Sequence, residues 1–232
     1  MTDATSEREV QQDSAMQDLA NDPASRKRFL KMVGGAGAAG AFSIFLAACG
    51  SDDKKTSSSS GSGSSMQTSA SSQKGDLAIV QYALTLEHLE TDFYNAVLDS
   101  GVIKDAKLGK VAMMIRDNEQ EHVDALTQTV KQLGGKPKKP KTNFDAVIKG
   151  GPKVVLQTAA TVENLGAAAY LGQAGRIKSK DVLAAALAIH TVEGRHAAAL
   201  NNVVGKTIVP DGAFAKPASM AEVLPKVQPF LA

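Results

Sequence analysis

The chain has 232 residues, of which 43% are hydrophobic, with 26 Lys and Arg against 24 Asp and Glu. A net charge of +2 excludes a strongly basic nucleic-acid binder and a highly charged disordered chain, while the apolar fraction can supply a core. Aromatics at 4% with no Trp disfavour a sheet protein and favour packed helices, and a single Cys excludes an intramolecular disulfide or a multi-Cys metal site.

The first third of the chain differs from the rest. Residues 1–24 are polar without a hydrophobic period. Ser25-Arg26-Lys27-Arg28-Phe29-Leu30-Lys31 then precedes an uncharged stretch, 32–48, rich in Gly and Ala. That stretch falls short of the roughly 20 apolar residues of a spanning helix. A basic segment before a weakly apolar one reads as an export signal. Its order resembles the twin-arginine export motif, with Lys27 where the second arginine would stand, so the general secretory route stays open. Leu46-Ala47-Ala48-Cys49 resembles the bacterial lipobox. The resemblance implies an acylated Cys49 and a protein held on the outer side of the cell membrane, in periplasm or at the cell surface, without spanning it. Residues 50–75 hold eleven Ser with Gly and Thr among them. Such a segment is a flexible tether with an end-to-end distance of about 25–30 Å. The expected division is a signal segment 1–48, a tether 49–75 and one folded domain 76–232.

From Asp76 the texture becomes helical. Leu77, Val80, Leu84, Glu87, Thr91, Tyr94 and Leu98 alternate at steps of three and four and define one helix face. Asp76 is its expected N-cap and Gly101 its stop. A second stripe, Leu108, Val111, Ile115, Glu119, His122, Leu126, Val130 and Leu133, starts near Asp105 and ends at Gly134-Gly135. A third, Val155, Ala159, Glu163, Gly166 and Tyr170, follows Pro152 near the first helical position. A fourth, Val182, Ala186, Ile189, Glu193, His196, Leu200 and Val203, has Ser179 as its cap and Gly205 as its stop. The joins within the first and last pairs are short, which predicts antiparallel hairpins. The connection 134–151 could reach roughly 60 Å extended, enough to run the length of the bundle. Short, long, short is the connectivity of an all-α, antiparallel four-helix bundle with one long crossover between helices 2 and 3. The basic run Gly134 to Lys141 reads as a solvated connector, the alternative being contact with anionic lipid or cell-wall polymer. The Pro-containing tail, 206–232, reads as an irregular strap with one short helix near 220–227.

Four carboxylates stand where apolar residues belong. Glu87, Glu119, Glu163 and Glu193 face the core, together with His122 and His196. Buried alone they would repel one another, so cations must neutralise them. Glu119-x-x-His122 and Glu193-x-x-His196 each put a carboxylate and an imidazole side by side on one helix. One Glu from each of two helices and Glu-x-x-His from each of the others is a di-metal donor set. The chain holds nine Glu and four His, so two such pairs are not expected by chance. Tyr94 follows Glu87 by seven residues and Tyr170 follows Glu163 by seven. The domain therefore reads as two copies of one helical hairpin related by a pseudo-twofold.

This pattern over 76–205 resembles the ferritin-like superfamily, with the donor set of rubrerythrin and bacterioferritin and the texture of the bacterial ferritin-like domains linked with desiccation-related proteins. The resemblance implies that Tyr94 and Tyr170 hydrogen-bond ligand carboxylates. The lack of Cys-x-x-Cys pairs means that no rubredoxin-type electron-donor site is present.

Two functional readings follow. One is a redox centre of two iron ions, with manganese as the alternative, that oxidises Fe(II) with O2 or hydrogen peroxide. Glu87, Glu119 and His122 would serve chiefly one metal, Glu163, Glu193 and His196 the other, with at least two Glu bridging. The other is a metal-sequestering, stress-protective surface bundle without turnover. The expected partners are the metals, the small oxidant and the membrane through the lipid anchor, with a homodimer as a candidate assembly and no nucleic acid. Glu90, three residues after Glu87, reads as a solvated or helix-paired residue, the alternative being a further ligand; His88 and His190 read as flank residues, and Glu121 as solvent-facing. Gly166, Gly172 and Gly194 read as sites of close helix approach, the alternative being room for an oxidant.

Overall fold

In the computed structural model, residues 70–232 are described; the export segment, Cys49 and most of the tether lie outside them. Among the described residues, four long helices form the bundle: α1 (Ala70–Ser100), α2 (Ala106–Gln132), α4 (Gly151–Ala174) and α5 (Lys180–Val203). A short helix, α3 (Asp145–Lys149), lies in the crossover, and α6 (Met220–Val227) runs into a 3-10 turn, Gln228–Phe230. α1 pairs with α2 and α4 with α5, and the hairpins meet through α1 against α4 and α2 against α5. The fold is the all-α bundle with one long crossover that the stripes predict. No described helix is long and apolar enough to cross a membrane.

Local chemistry sets most boundaries. Asp105 Oδ1 accepts from Lys107 N and Leu108 N at 2.8 and 2.9 Å and so starts α2. Ser179 starts α5 by accepting from Val182 N at 3.3 Å. Pro152 sits in the first turn of α4, where its missing N–H costs nothing. Ser219 and Glu222 form a reciprocal capping box on α6. The chain leaves α1 through Gly101 at φ 59° and α5 through Gly205 at φ 74°, conformations that a Cβ would disfavour.

Three local expectations are corrected. Asp76 does not cap α1, which already begins at Ala70 within the segment read as tether. Asp76 is 1% exposed, and its carboxylate accepts from Lys178 N and Ser179 N at 2.8 and 2.7 Å, closing the α4–α5 turn across the bundle. Val203 is 39% exposed. A stripe with steps averaging 3.5 residues drifts around a helix by about 20° per heptad, and over α5 that carries its last member off the core. The crossover is also more than a solvated connector. Lys139 Nζ meets Asp92 at 2.7 Å, Gln81 Nε2 donates to Lys136 O at 3.1 Å, and Phe144 and Val147 are buried in the core.

The core falls into two apolar clusters. One gathers Leu89, Phe93, Val97, Ile115, Val155 and Leu200, and the other Val80, Leu84, Leu126, Val130, Val182 and Ile189. Each such side chain contributes about 1.5–3 kcal/mol on burial. The strap closes onto the first cluster through Val223 and Val227. Its end is fastened to the crossover by Asn143 N donating to Phe230 O and Ala232 N donating to Lys141 O, both at 2.9 Å.

Gly172 admits this strap. Ala218 N donates to Ala168 O at 2.8 Å, which brings the Ala218 carbonyl onto the face of Gly172. Gly172→Ala is expected to lower the melting temperature by the equivalent of about 1–3 kcal/mol, because the new methyl meets backbone that cannot turn aside. Gly194 approaches nothing: a Cβ there meets no atom within 4 Å, which corrects its reading as a close-contact residue. Gly194→Ala is expected to add about 0.5–1 kcal/mol of stability. Thermal melts of the two variants check the opposite signs.

Candidate metal centre

Between the two apolar clusters lies a polar layer. Glu87 on α1, Glu119 and His122 on α2, Glu163 on α4, and Glu193 and His196 on α5 converge there. The four Glu are 0% exposed, His122 6% and His196 3%. His122 Nδ1 lies 3.0 Å from Glu119 Oε2, 3.1 Å from Glu87 Oε2 and 3.4 Å from Glu193 Oε1. His196 Nδ1 lies 2.9 Å from Glu119 Oε1 and 3.2 Å from Glu163 Oε2.

The donor atoms form two groups, each with all its atoms within 4.8 Å of one another: Glu87, Glu119, His122 and Glu193, and Glu119, Glu163, Glu193 and His196. Glu119 and Glu193 belong to both. Neither serves chiefly one half, as their Glu-x-x-His neighbours suggest. Glu119 stands between the halves with Oε2 toward His122 and Oε1 toward His196, and Glu193 belongs to both groups.

The tyrosines cross the pseudo-twofold. Tyr94 donates to Glu163 Oε1 and Tyr170 to Glu87 Oε1, each at 2.5 Å. Each Tyr thus holds the carboxylate of the other repeat. The Asn118 side-chain amide lies 3.1 Å from His196 Nε2 and fixes the ring on the side away from the carboxylates.

Glu90 is the residue that stripe reasoning misplaces. It is 2% exposed, and its Oε2 has no hydrogen-bond partner among the described residues. A Cβ on Gly166 would come within 2.9 Å of Glu90 Oε1 and 2.7 Å of Glu193 Oε2, so this glycine makes room for two carboxylates. The repeat offset, 76 residues from Glu87 to Glu163, also carries Glu90 onto Gly166. That pairing was the available signal for Glu90. Asn118 left none, since the corresponding residue of the second repeat is Val192. His88 and His190 are half-buried and outside both donor groups, and Glu121 is half-buried rather than solvent-facing.

The donor set fits a cation. Glu119 Oε1, Glu163 Oε2 and both oxygens of Glu193 are buried without a hydrogen-bond partner among the described residues. His196 Nδ1, though 2.9 Å from Glu119 Oε1, lacks hydrogen-bond alignment with it. Buried acceptors that face one another with no donor between them are what a metal ion satisfies. Carboxylate and imidazole without thiolate suit iron or manganese.

In the metal-free protein, protons take the place of that charge. Burial pushes Glu87 up to about 7, the Glu119 carboxylate adding to the rise and His122 opposing it. Burial and then neighbouring carboxylates raise Glu193 and Glu90 well above the usual range. Burial works against a charged His196, but Glu119 and Glu163 outweigh it and carry the imidazole up to about 10. Burial also acts to raise Glu119, yet the imidazoles of His122 and His196 hold it below the usual carboxylate range.

Glu87 and His196 both titrate higher in the fold than at their ordinary values of 4.5 and 6.5. Each therefore stabilises the metal-free fold fully below its ordinary value, and that stabilisation is lost as pH rises through the folded value. The metal-free protein is expected to melt at progressively lower temperature from about pH 5 to about pH 10. Metal affinity should rise over the same interval, because binding expels these protons. Melts at both ends of the range, with and without Mn(II), check the two trends.

A four-helix bundle with a buried carboxylate and histidine layer at its waist defines a ferritin-like protein whose donor set is compatible with a metal site. The family model for a ferritin-like domain matches residues 75–206, and the chain belongs to that family. A comparison with curated proteins finds no match.

Proposed function

We propose that the protein binds two metal ions, iron by preference and manganese as the alternative, and couples Fe(II) oxidation to reduction of O2 or hydrogen peroxide. The sharing of Glu119 and Glu193 between two donor groups carries this reading. Glu87, Glu119, His122 and Glu193 would hold one ion and Glu119, Glu163, Glu193 and His196 the other. Two iron ions held there would supply paired electron transfer to a small oxidant. Tyr94 and Tyr170 fix the orientation of Glu163 and Glu87, Asn118 orients His196, and the apolar clusters keep bulk water out. The proposed chemistry is the one expected from the resemblance to rubrerythrin and bacterioferritin.

The same proposal places the protein outside the cytoplasm, exported through the segment before Cys49 and anchored by its acylated side chain, with the Ser-rich tether spacing the bundle from the lipid. Cys49→Ser should move it from the membrane fraction to the soluble fraction. The test of the centre is anaerobic loading with Fe(II), a metal count, and the absorbance change on adding hydrogen peroxide or O2. About two irons per chain and oxidant-dependent oxidation are expected. Less than one metal per chain after reconstitution would sink the reading, and tight binding without oxidation would turn it to sequestration.

A further inference from the structure

Of the buried polar side chains outside the proposed ligand set that lack a partner among the described residues, three line two adjoining cavities, whereas Thr91 and His190 line neither. Gln173 is 3% exposed, and neither Oε1 nor Nε2 finds a partner among the described residues. The hydroxyl of Tyr82, 9% exposed, is likewise unpartnered, as is Glu90 Oε2. Burying a polar group dry is costly, and three such groups close together call for a common cause.

Their placement supplies one. Gln173 and Tyr82 line a cavity that is otherwise apolar and has half-exposed Thr129, Ala185 and Ala186 at its rim. Glu90 lines the adjoining cavity with Leu89, Gly166 and Val227. Leu86 belongs to the walls of both. Glu90 stands next to Glu193, one of the shared carboxylates: a single point on the face of Gly166 lies 2.9 Å from Glu90 Oε1 and 2.7 Å from Glu193 Oε2.

We propose that these cavities form one access route to the centre for a water-sized, hydrogen-bonding molecule, hydrogen peroxide or water. The Gln173 amide and the Tyr82 hydroxyl are its successive hydrogen-bond stations, and Leu86 is the constriction before Glu90. The route deepens the oxidant-reducing function proposed above and rests on it.

Size and chemistry agree. The cavities leave room for molecules of the size of water and little more. Hydrogen peroxide both donates and accepts, and so do an amide and a phenol, whereas O2 would gain nothing from either. The other repeat has a corresponding cavity, lined by Tyr94, Val97, Val155 and Leu200, but the polar stations belong to one half of the pseudo-twofold. The residues that correspond to Gln173, Tyr82 and Glu90 in the other repeat are Val97, Thr158 and Gly166. The strap covers it, since Val227 of α6 walls the inner cavity and Met220 packs against both apolar clusters.

Two variants outside the proposed ligand set test this, each with a readout that needs no metal. In a crystal of the metal-free protein, ordered water should bridge Gln173 and Tyr82. Gln173→Leu should then leave the melting temperature unchanged or lower it, because it strips a hydrated site of its partner. Dry cavities and a raised melting temperature for Gln173→Leu would overturn the route. In the Fe(II)-loaded protein, Leu86→Phe and Gln173→Leu should each slow oxidation by hydrogen peroxide about tenfold at unchanged iron content. Unchanged rates would overturn it as well. If Leu86→Phe fails to fold, Gln173→Leu decides. If the wild type binds iron but does not react with peroxide, the oxidant-reducing function fails, and the solvent and melting readouts decide the route alone.

Discussion

Glu119→Ala is expected to empty both halves of the centre, whereas Glu87→Ala or Glu163→Ala should empty one. The asymmetry comes from position: Glu119 offers an oxygen to each donor group, Glu87 and Glu163 to one apiece. Loss of a residue that hydrogen-bonds a metal ligand costs about 10–100-fold in affinity, and loss of a shared ligand should exceed that for both ions. The metal-free fold should suffer too. Glu119 is the carboxylate that the two imidazoles hold ionised, through His122 Nδ1 at 3.0 Å and His196 Nδ1 at 2.9 Å. Removing it takes from each of two buried imidazoles its nearest carboxylate, and breaking a buried pair costs about 3–5 kcal/mol. Metal content by mass spectrometry and melts of the metal-free variant check both parts. Retention of one tightly held metal in Glu119→Ala would contradict the sharing.

Glu193→Gln should abolish metal binding as thoroughly and yet stabilise the metal-free fold, by about 1–3 kcal/mol. Glu193 is buried without a hydrogen-bond partner among the described residues at either oxygen, and burial and then repulsion from Glu119, Glu87 and Glu163 penalise its charge. A neutral amide of the same shape removes the charge and can donate into the carboxylate cluster. Two residues that correspond under the pseudo-twofold thus have opposite effects on stability, because the imidazoles compensate one and the carboxylates oppress the other. Paired melts of Glu119→Ala and Glu193→Gln without metal check this. A melting temperature of Glu193→Gln below that of the wild type would contradict it.

Much of the molecule was legible before its coordinates. The helix stops at Gly101 and Gly205, the caps at Asp105 and Ser179, and the short helix in the strap each follow from a residue acting on its near neighbours. The Glu and His residues of the polar layer stood out because carboxylates at the 3.6-residue period of an apolar stripe are expensive unless something neutralises them. Asp76 misled for the same reason that Asp105 did not. Both are aspartates next to a helical stripe, but the partners of Asp76 lie at Lys178 and Ser179, far along the chain. Glu90 misled because it stands one turn from Glu87 with nothing in its own helix to mark it as buried.

The sequence by itself determined the four helices, their hairpin and crossover order, and which side chains share a face, since these depend on periodicity, turn chemistry and loop length. Only the tertiary structure decided that Glu119 and Glu193 are the shared carboxylates, that each Tyr reaches the opposite repeat, that Gly166 makes space for Glu90, and that the strap closes over them. Those outcomes depend on the rotation and depth at which one helix meets another. A shift of a single residue in that packing exchanges which oxygen faces which partner, and no local pattern records it.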